Sequence, residues 1–135
     1  MHAHRIILIL LAALLVPACS AVNDSKKSIT LDQATRYYER AIRWVDFKAA
    51  DSLRRLEGGA HYIPDPDTLK RIKVTSYETV KTTAADDNST VTIQVDIVYY
   101  NEDNMKLVPL TDNQVWKYDA DIKSWYITTP LPAFR

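Results

Sequence analysis

Val91-Thr92-Ile93-Gln94-Val95-Asp96-Ile97-Val98-Tyr99 is the stretch that decides the fold. Val91, Ile93, Val95, Ile97 and Tyr99 alternate with Thr92, Gln94, Asp96 and Val98, the period of a strand with one buried face. Turn sequences lie on both sides, Asp86-Asp87-Asn88 before it and Glu102-Asp103-Asn104 after it. The neighbouring strands therefore pair with it as antiparallel hairpins. Upstream, Ile72, Val74 and Val80 alternate with polar residues; downstream, Gln114–Asp119 and Ser124–Thr129 form a last hairpin across Asp121-Ile122.

A one-residue slip moves every side chain to the wrong face, so register follows from matching apolar positions. Pairing Val80 with Ile93 and Val74 with Tyr99 sets Ser76 and Glu78 on the apolar face, opposite Ile97 and Val95. It leaves Asp96 opposite Tyr77 on the outer face, with Thr75, Thr79, Val98 and Tyr100. Pairing Val95 with Leu110 and Ile97 with Val108 carries Asp112, Gln114, Trp116 and Tyr118 inward. Trp116 opposite Ile127 and Tyr118 opposite Trp125 complete the sheet.

The half before the sheet has the helical period. Leu31, Ala34, Tyr38, Ala41, Ile42 and Val45 recur at three- and four-residue steps behind Thr30-Leu31-Asp32-Gln33, which fits a capping box with Thr30 as N-cap. Asp32 precedes Arg36 by four residues and Glu39 precedes Arg43 likewise, the favourable order for helix ion pairs. Asp46 is placed to cap a second helix, Phe47–Leu56, ended by Gly58-Gly59, with a loop from Ala60 to Thr68. Helices followed by a long antiparallel sheet cover one of its faces. The expectation is an α+β fold: an N-terminal helix pair packed on a curled, mostly antiparallel sheet of four strands or more.

The N-terminus reads differently. Ile6–Val16 is an apolar run of about eleven residues, short of the roughly twenty that span a bilayer as a helix. Arg5 precedes it and Val16-Pro17-Ala18-Cys19 closes it. This resembles the signal peptide and lipobox of a bacterial lipoprotein, and is the basis for expecting residues 1–18 to be removed and Cys19 to be lipidated. The alternative is a plain secretory signal cut after Ala18 or Ala21. The resemblance implies acyl chains on Cys19 that hold the protein to a lipid bilayer. Ser20 in place of Asp implies the outer membrane, facing the periplasm of the cell envelope. Residues 19–29 then form a lipidated cysteine and flexible tether, and 30–135 a single domain.

Lipidation occupies the one cysteine of the chain, so no disulfide framework and no catalytic thiol are expected. His2 and His4 leave with the signal and His61 alone remains, too few ligands for a zinc site. No metal and no cofactor are expected. Lys+Arg and Asp+Glu each number 17, and loss of Arg5 barely moves that balance. No field attracts nucleic acid.

Tyr37-Tyr38-Glu39-Arg40-Ala41-Ile42, then Asp46-Phe47-Lys48-Ala49-Ala50, then strands ending in Trp116-Lys117-Tyr118-Asp119 and Trp125-Tyr126-Ile127, resemble the nuclear transport factor 2-like superfamily. A cystatin-like arrangement of one helix on a sheet is its near neighbour. The resemblance covers roughly residues 30–129 and implies an α+β cone with a pocket between helices and sheet.

Three functions follow as expectations. The first is a non-catalytic envelope lipoprotein whose domain binds a protein partner or a small apolar ligand. The second, implied by the resemblance, is an isomerase- or cyclase-like enzyme. It needs a carboxylate base in an apolar pocket, for which Glu78 and Asp112 are the candidates, with Tyr118 or a tryptophan N–H as oxyanion donor. The third is a structural part of an envelope or secretion assembly. Glu78, Asp112, Gln114, Trp116, Tyr118 and Trp125 are the candidate pocket residues; core packing is the competing role for the two tryptophans.

Overall fold

A computed structural model describes residues 17–56 and 64–135. The apolar run 6–16, the three histidines and Gly58-Gly59 lie outside the described residues. Within them, helix α1 (Pro17–Arg43), two short helices α2 (Phe47–Asp51) and α3 (Pro66–Leu69), and strands β1 (Ile72–Ala84), β2 (Thr90–Asn101), β3 (Leu107–Asp119) and β4 (Ser124–Ile127) follow in order. The strands form one antiparallel sheet in the order β1-β2-β3-β4. It is open and only weakly curled.

Helix α1 starts thirteen residues before the expected cap at Thr30. The segment read as a flexible tether is helical, and Thr30 lies inside it. The Thr30 hydroxyl donates back to the carbonyls of Lys26 and Lys27, both at 3.0 Å, the bonding pattern of a mid-helix threonine rather than of a cap. The docked face is the expected one. Tyr38, Ala41 and Ile42 are buried, with Leu31, Ala34 and Val45 packed beside them. The ion pairs Arg36–Asp32 and Arg43–Glu39 form at 2.9 and 2.8 Å on the exposed side.

The helix ends in a Schellman arrangement, with Asp46 N–H donating to Ala41 O and Val45 N–H to Ile42 O. Val45 takes the left-handed position at φ 57°, where a β-branched residue is strained. Asp46 then caps α2 as expected, accepting from Ala49 N–H at 3.0 Å. That helix stops at Asp51 instead of reaching Leu56. Residues 53–55 turn along β4 instead: Ile127 N–H donates to Leu53 O and Arg55 N–H to Ile127 O, both at 2.9 Å. Arg54 thereby makes a parallel bridge to Ile127.

Val74 opposite Tyr99, Trp116 opposite Ile127 and Tyr118 opposite Trp125 match expectation. The β2–β3 pairing is displaced by two residues, Val95 facing Asp112 and Ile97 facing Leu110. An even displacement keeps every side chain on its face. β1 is different. Two irregularities, between Val74 and Ser76 and between Thr79 and Lys81, change its register against β2. An extra residue in one strand reverses the faces beyond it. Tyr77 therefore lies opposite Ile97 and turns inward, while Glu78 lies opposite Asp96 on the exposed face. Val80 does not pair with Ile93; Thr82 does, and Val80 is 54% exposed.

The core gathers Val95, Ile97, Tyr99, Trp116 and Ile127 from the sheet and Tyr38 and Ile42 from α1. The C-terminal segment closes one end. Phe134 stacks edge-on against Tyr99 and Phe47, with centroids 4.8 and 5.5 Å apart.

Candidate functional site

Alternate residues of β3 share one face, so Asp112, Gln114 and Trp116 stand in a row beneath α1, and all are buried. They form a connected polar chain. Gln114 Nε2 donates to Asp112 Oδ2 at 2.7 Å and to the Tyr77 hydroxyl at 2.9 Å. Its Oε1 accepts from Trp116 Nε1 at 2.9 Å. Both amide hydrogens and the carbonyl of Gln114 are thus engaged, as a buried amide requires.

Burial pushes the Asp112 carboxyl up to about 6, and the Gln114 hydrogen bond pulls in the opposite direction. Burial raises the Tyr77 and Tyr38 hydroxyls well above the ordinary phenol value. Tyr38 packs edge-on against Trp116 at 5.7 Å. Its hydroxyl is buried without a hydrogen-bond partner among the described residues. Asp112 raises this hydroxyl and Arg54 lowers it. The Arg54 guanidinium is itself buried, its Nε donating to Asp51 Oδ1 at 2.7 Å.

Several clefts are lined in part by α1. One of about 420 Å³ lies between Leu31, Thr35 and Glu39 of α1 and Tyr77, Thr79 and Thr82 of β1, with Ile93 and Gln114 on its floor. Asp112 does not line it, whereas its hydrogen-bond partner Gln114 and Tyr77 do. The larger cleft, about 640 Å³, sits at the α1–α2 turn against Phe47, Leu69, Ile72 and Val74. Trp44 stands on its rim, 80% exposed.

The sequence-derived candidates are thus separated. Asp112, Gln114 and Trp116 come together. Glu78 does not join them; the first irregularity of β1 sends it to the outer face, which removes it as a pocket base. Tyr118 and Trp125 are neighbours, with centroids 5.3 Å apart, one alternate position beyond Trp116 toward the β3–β4 turn, and among the described residues neither joins the Gln114 chain by a hydrogen bond. There Lys27 lies over the Tyr118 ring and Trp125 Nε1 donates to Lys27 O at 3.0 Å. Tyr77, Tyr38 and Arg54 belong to the buried cluster without having been singled out from sequence. For Tyr77 a signal exists: Tyr77-Glu78-Thr79-Val80-Lys81-Thr82 has no clean apolar alternation, which is what a strand with bulges shows.

Among the described residues no three His, Cys, Asp or Glu side chains are grouped to hold a metal ion, and no helix is long and apolar enough to cross a membrane. No family model, curated protein or solved structure matches the chain.

Proposed function

We propose that this chain is a lipid-anchored protein of the bacterial cell envelope whose α+β domain is a non-catalytic binding module. The observation that carries the reading is the cleft between α1 and β1. Its polar wall is self-neutralised, Asp32 pairing with Arg36 and Glu39 with Arg43. Such a surface suits binding of an uncharged chain, and it holds no acid–base pair of the kind proton-transfer chemistry needs. The order of a long helix, a short helix and four antiparallel strands supports a nuclear transport factor 2-like origin. The weak curl and a third helix of a single turn at Pro66–Leu69 fit a reduced form of such a fold.

Anchoring is supported by the lipobox-like Val16-Pro17-Ala18-Cys19. The test is metabolic labelling with an alkyne palmitate, followed by membrane fractionation. Wild type carries label and sediments with outer membranes; Cys19→Ser carries none and is released. Label-free, membrane-bound Cys19→Ser protein would overturn the anchor.

The isomerase-like reading keeps one supporting observation, the raised Asp112 carboxyl in an apolar setting. Gln114 and Tyr77 line the cleft and Asp112 does not, so binding is the better account. Full rescue of a deletion phenotype by Asp112→Asn is the expected result.

A further inference from the structure

We propose that the exposed half of β1, Thr79–Ala84, accepts an extended segment of a partner protein, which lies along this edge as a fifth strand with alternate side chains in the α1–β1 cleft. The inference rests on the binding-module reading and names the occupant of the same cleft.

The two edges of the sheet are treated differently. The β4 edge is covered by residues 53–55 through the hydrogen bonds of Ile127. The β1 edge is covered at one point, where Arg43 Nη2 donates to Tyr77 O at 3.0 Å. Beyond Tyr77, every residue from Thr79 to Ala84 is exposed. Among the described residues, their backbones have no partner outside the pairing with β2. Six residues of strand present about 20 Å of alternating N–H and C=O groups.

The path of α1 explains why. Its N-terminal part is held at β4, where Trp125 meets Lys27, and its last turn is held at β1, where Arg43 meets Tyr77. The helix therefore crosses the sheet diagonally. A wedge is left between Leu31–Glu39 and the far half of β1, and that wedge is the 420 Å³ cleft. A strand added to the edge fills it, in the manner of strand addition beside a helix. Lys81 and the irregularity at Val80 discourage unselective edge pairing without covering the edge.

Charge states the chemistry of the occupant. Inward side chains meet Thr79, Thr82, Ile93 and the self-paired acids of α1, so they are small and uncharged. On the outer face Glu78 stands directly opposite Asp96, and neither forms an ion pair among the described residues. Within Thr79–Ala84 the outward positions are Lys81 and Thr83, so an outward Lys or Arg relieves that repulsion only at the end of the added strand beside Glu78, and the other outward side chains are uncharged. A second copy of this chain is the poorer occupant. Antiparallel β1–β1 pairing points the two α1 N-termini in opposite directions, which two lipid anchors in one bilayer do not allow.

The test uses the full chain purified from membranes in detergent. Its probes are the peptide acetyl-Val-Thr-Thr-Thr-Val-Lys-Thr-amide, whose single Lys falls beside Glu78 when the strand adds antiparallel to β1, and a control with Glu in place of that Lys. The Lys peptide is expected to bind at least about tenfold more tightly than the Glu peptide, a difference of about 1.4 kcal/mol. It should slow amide exchange in residues 79–84, and Glu78→Lys should abolish the preference. N-methylation of alternate peptide amides should block binding in one frame and spare it in the other, the signature of a one-sided ladder. Protection elsewhere, equal loss from both methylation frames, or no binding at 1 mM overturns the proposal, as does a β1-linked dimer in sedimentation. Cys19→Ser protein in buffer separates the two readings: peptide binding without anchoring keeps this inference, and a lipidated chain that binds neither peptide loses it alone.

Discussion

Trp125 donates its indole N–H to the backbone carbonyl of Lys27 across 3.0 Å, joining residues 98 apart in the chain. The same lysine donates to Ser89 Oγ at 3.1 Å and lies over the Tyr118 ring. One turn of α1 is thereby fixed to β4, to the β1–β2 turn and to β3. A segment of polar composition becomes ordered helix because its backbone and one ammonium group find partners in the folded domain. Helical propensity alone rarely holds so polar a stretch.

Trp125→Phe keeps most of the packing and removes the donor. It should lower stability by about 1 kcal/mol, the usual worth of one such bond. Amide exchange should accelerate in residues 21–30 and not in residues 38–43. Equal exchange of both segments in wild type and variant would show that the helix stands without this contact.

The register of β1 has its own test on the outer face. Glu78 and Asp96 are directly opposed like charges, so Glu78→Lys converts repulsion into attraction. A gain of about 0.2–1 kcal/mol in urea unfolding is expected at low salt, shrinking as salt is added. With Glu78 on the inner face, as the unbulged register has it, the same change would bury an ammonium group and cost several kcal/mol.

How far each strand could be read from sequence depended on bulges. Asp112, Gln114, Trp116 and Tyr118 reach their expected face although the β2–β3 pairing is off by two, since the side-chain period is itself two. In β1 an irregularity beside Thr75 exchanges Tyr77 and Glu78 between faces. The local mark is weak, a broken apolar alternation over Tyr77–Thr82, because Thr75, Ser76 and Thr79 suit either face of a strand. The helix of α1 was legible from Leu31 onward because its apolar stripe has a core to face. The part before Thr30 depends on Trp125, Ser89 and Tyr118, contacts that no sequence window contains. The polar chain through Gln114 was half visible: its β3 members follow from alternation, and Tyr77 does not.

Asp112 makes stability depend on pH in a stated direction. Its carboxyl titrates near 6 in the folded chain, against an ordinary value of 3.8. Between those values the folded state holds the proton more tightly than the unfolded state. Stability on this account is therefore fully present below about pH 4 and falls as pH rises through 6. Asp112→Asn keeps an oxygen to accept from Gln114 and removes the charge. It should raise stability at pH 7 by about 1–3 kcal/mol and flatten the profile between pH 4 and 6. Chemical unfolding at pH 4.5 and 7 measures both; a variant less stable than wild type at pH 7 would contradict a buried carboxylate under strain.

The anchor proposed at Cys19, together with the docked α1, would orient the domain on a membrane. Eight helical steps lead from Cys19 to Lys27, about 12 Å of rise, and Lys27 is held to Ser89 at the β1–β2 turn. Trp44 follows the far end of the same helix, about 37 Å along its axis from Cys19. With that anchor the β1–β2 turn would sit near the headgroups and the exposed Trp44 away from them. Asp86→Cys and Trp44→Cys, each carrying a bimane label on lipidated protein in vesicles, read this directly. Headgroup spin-labelled lipid should quench the label at position 86 severalfold more than the label at position 44. Equal quenching at both sites would mean that the first turns of α1 act as a loose leash, and that the contact between Trp125 and Lys27 does not carry the orientation.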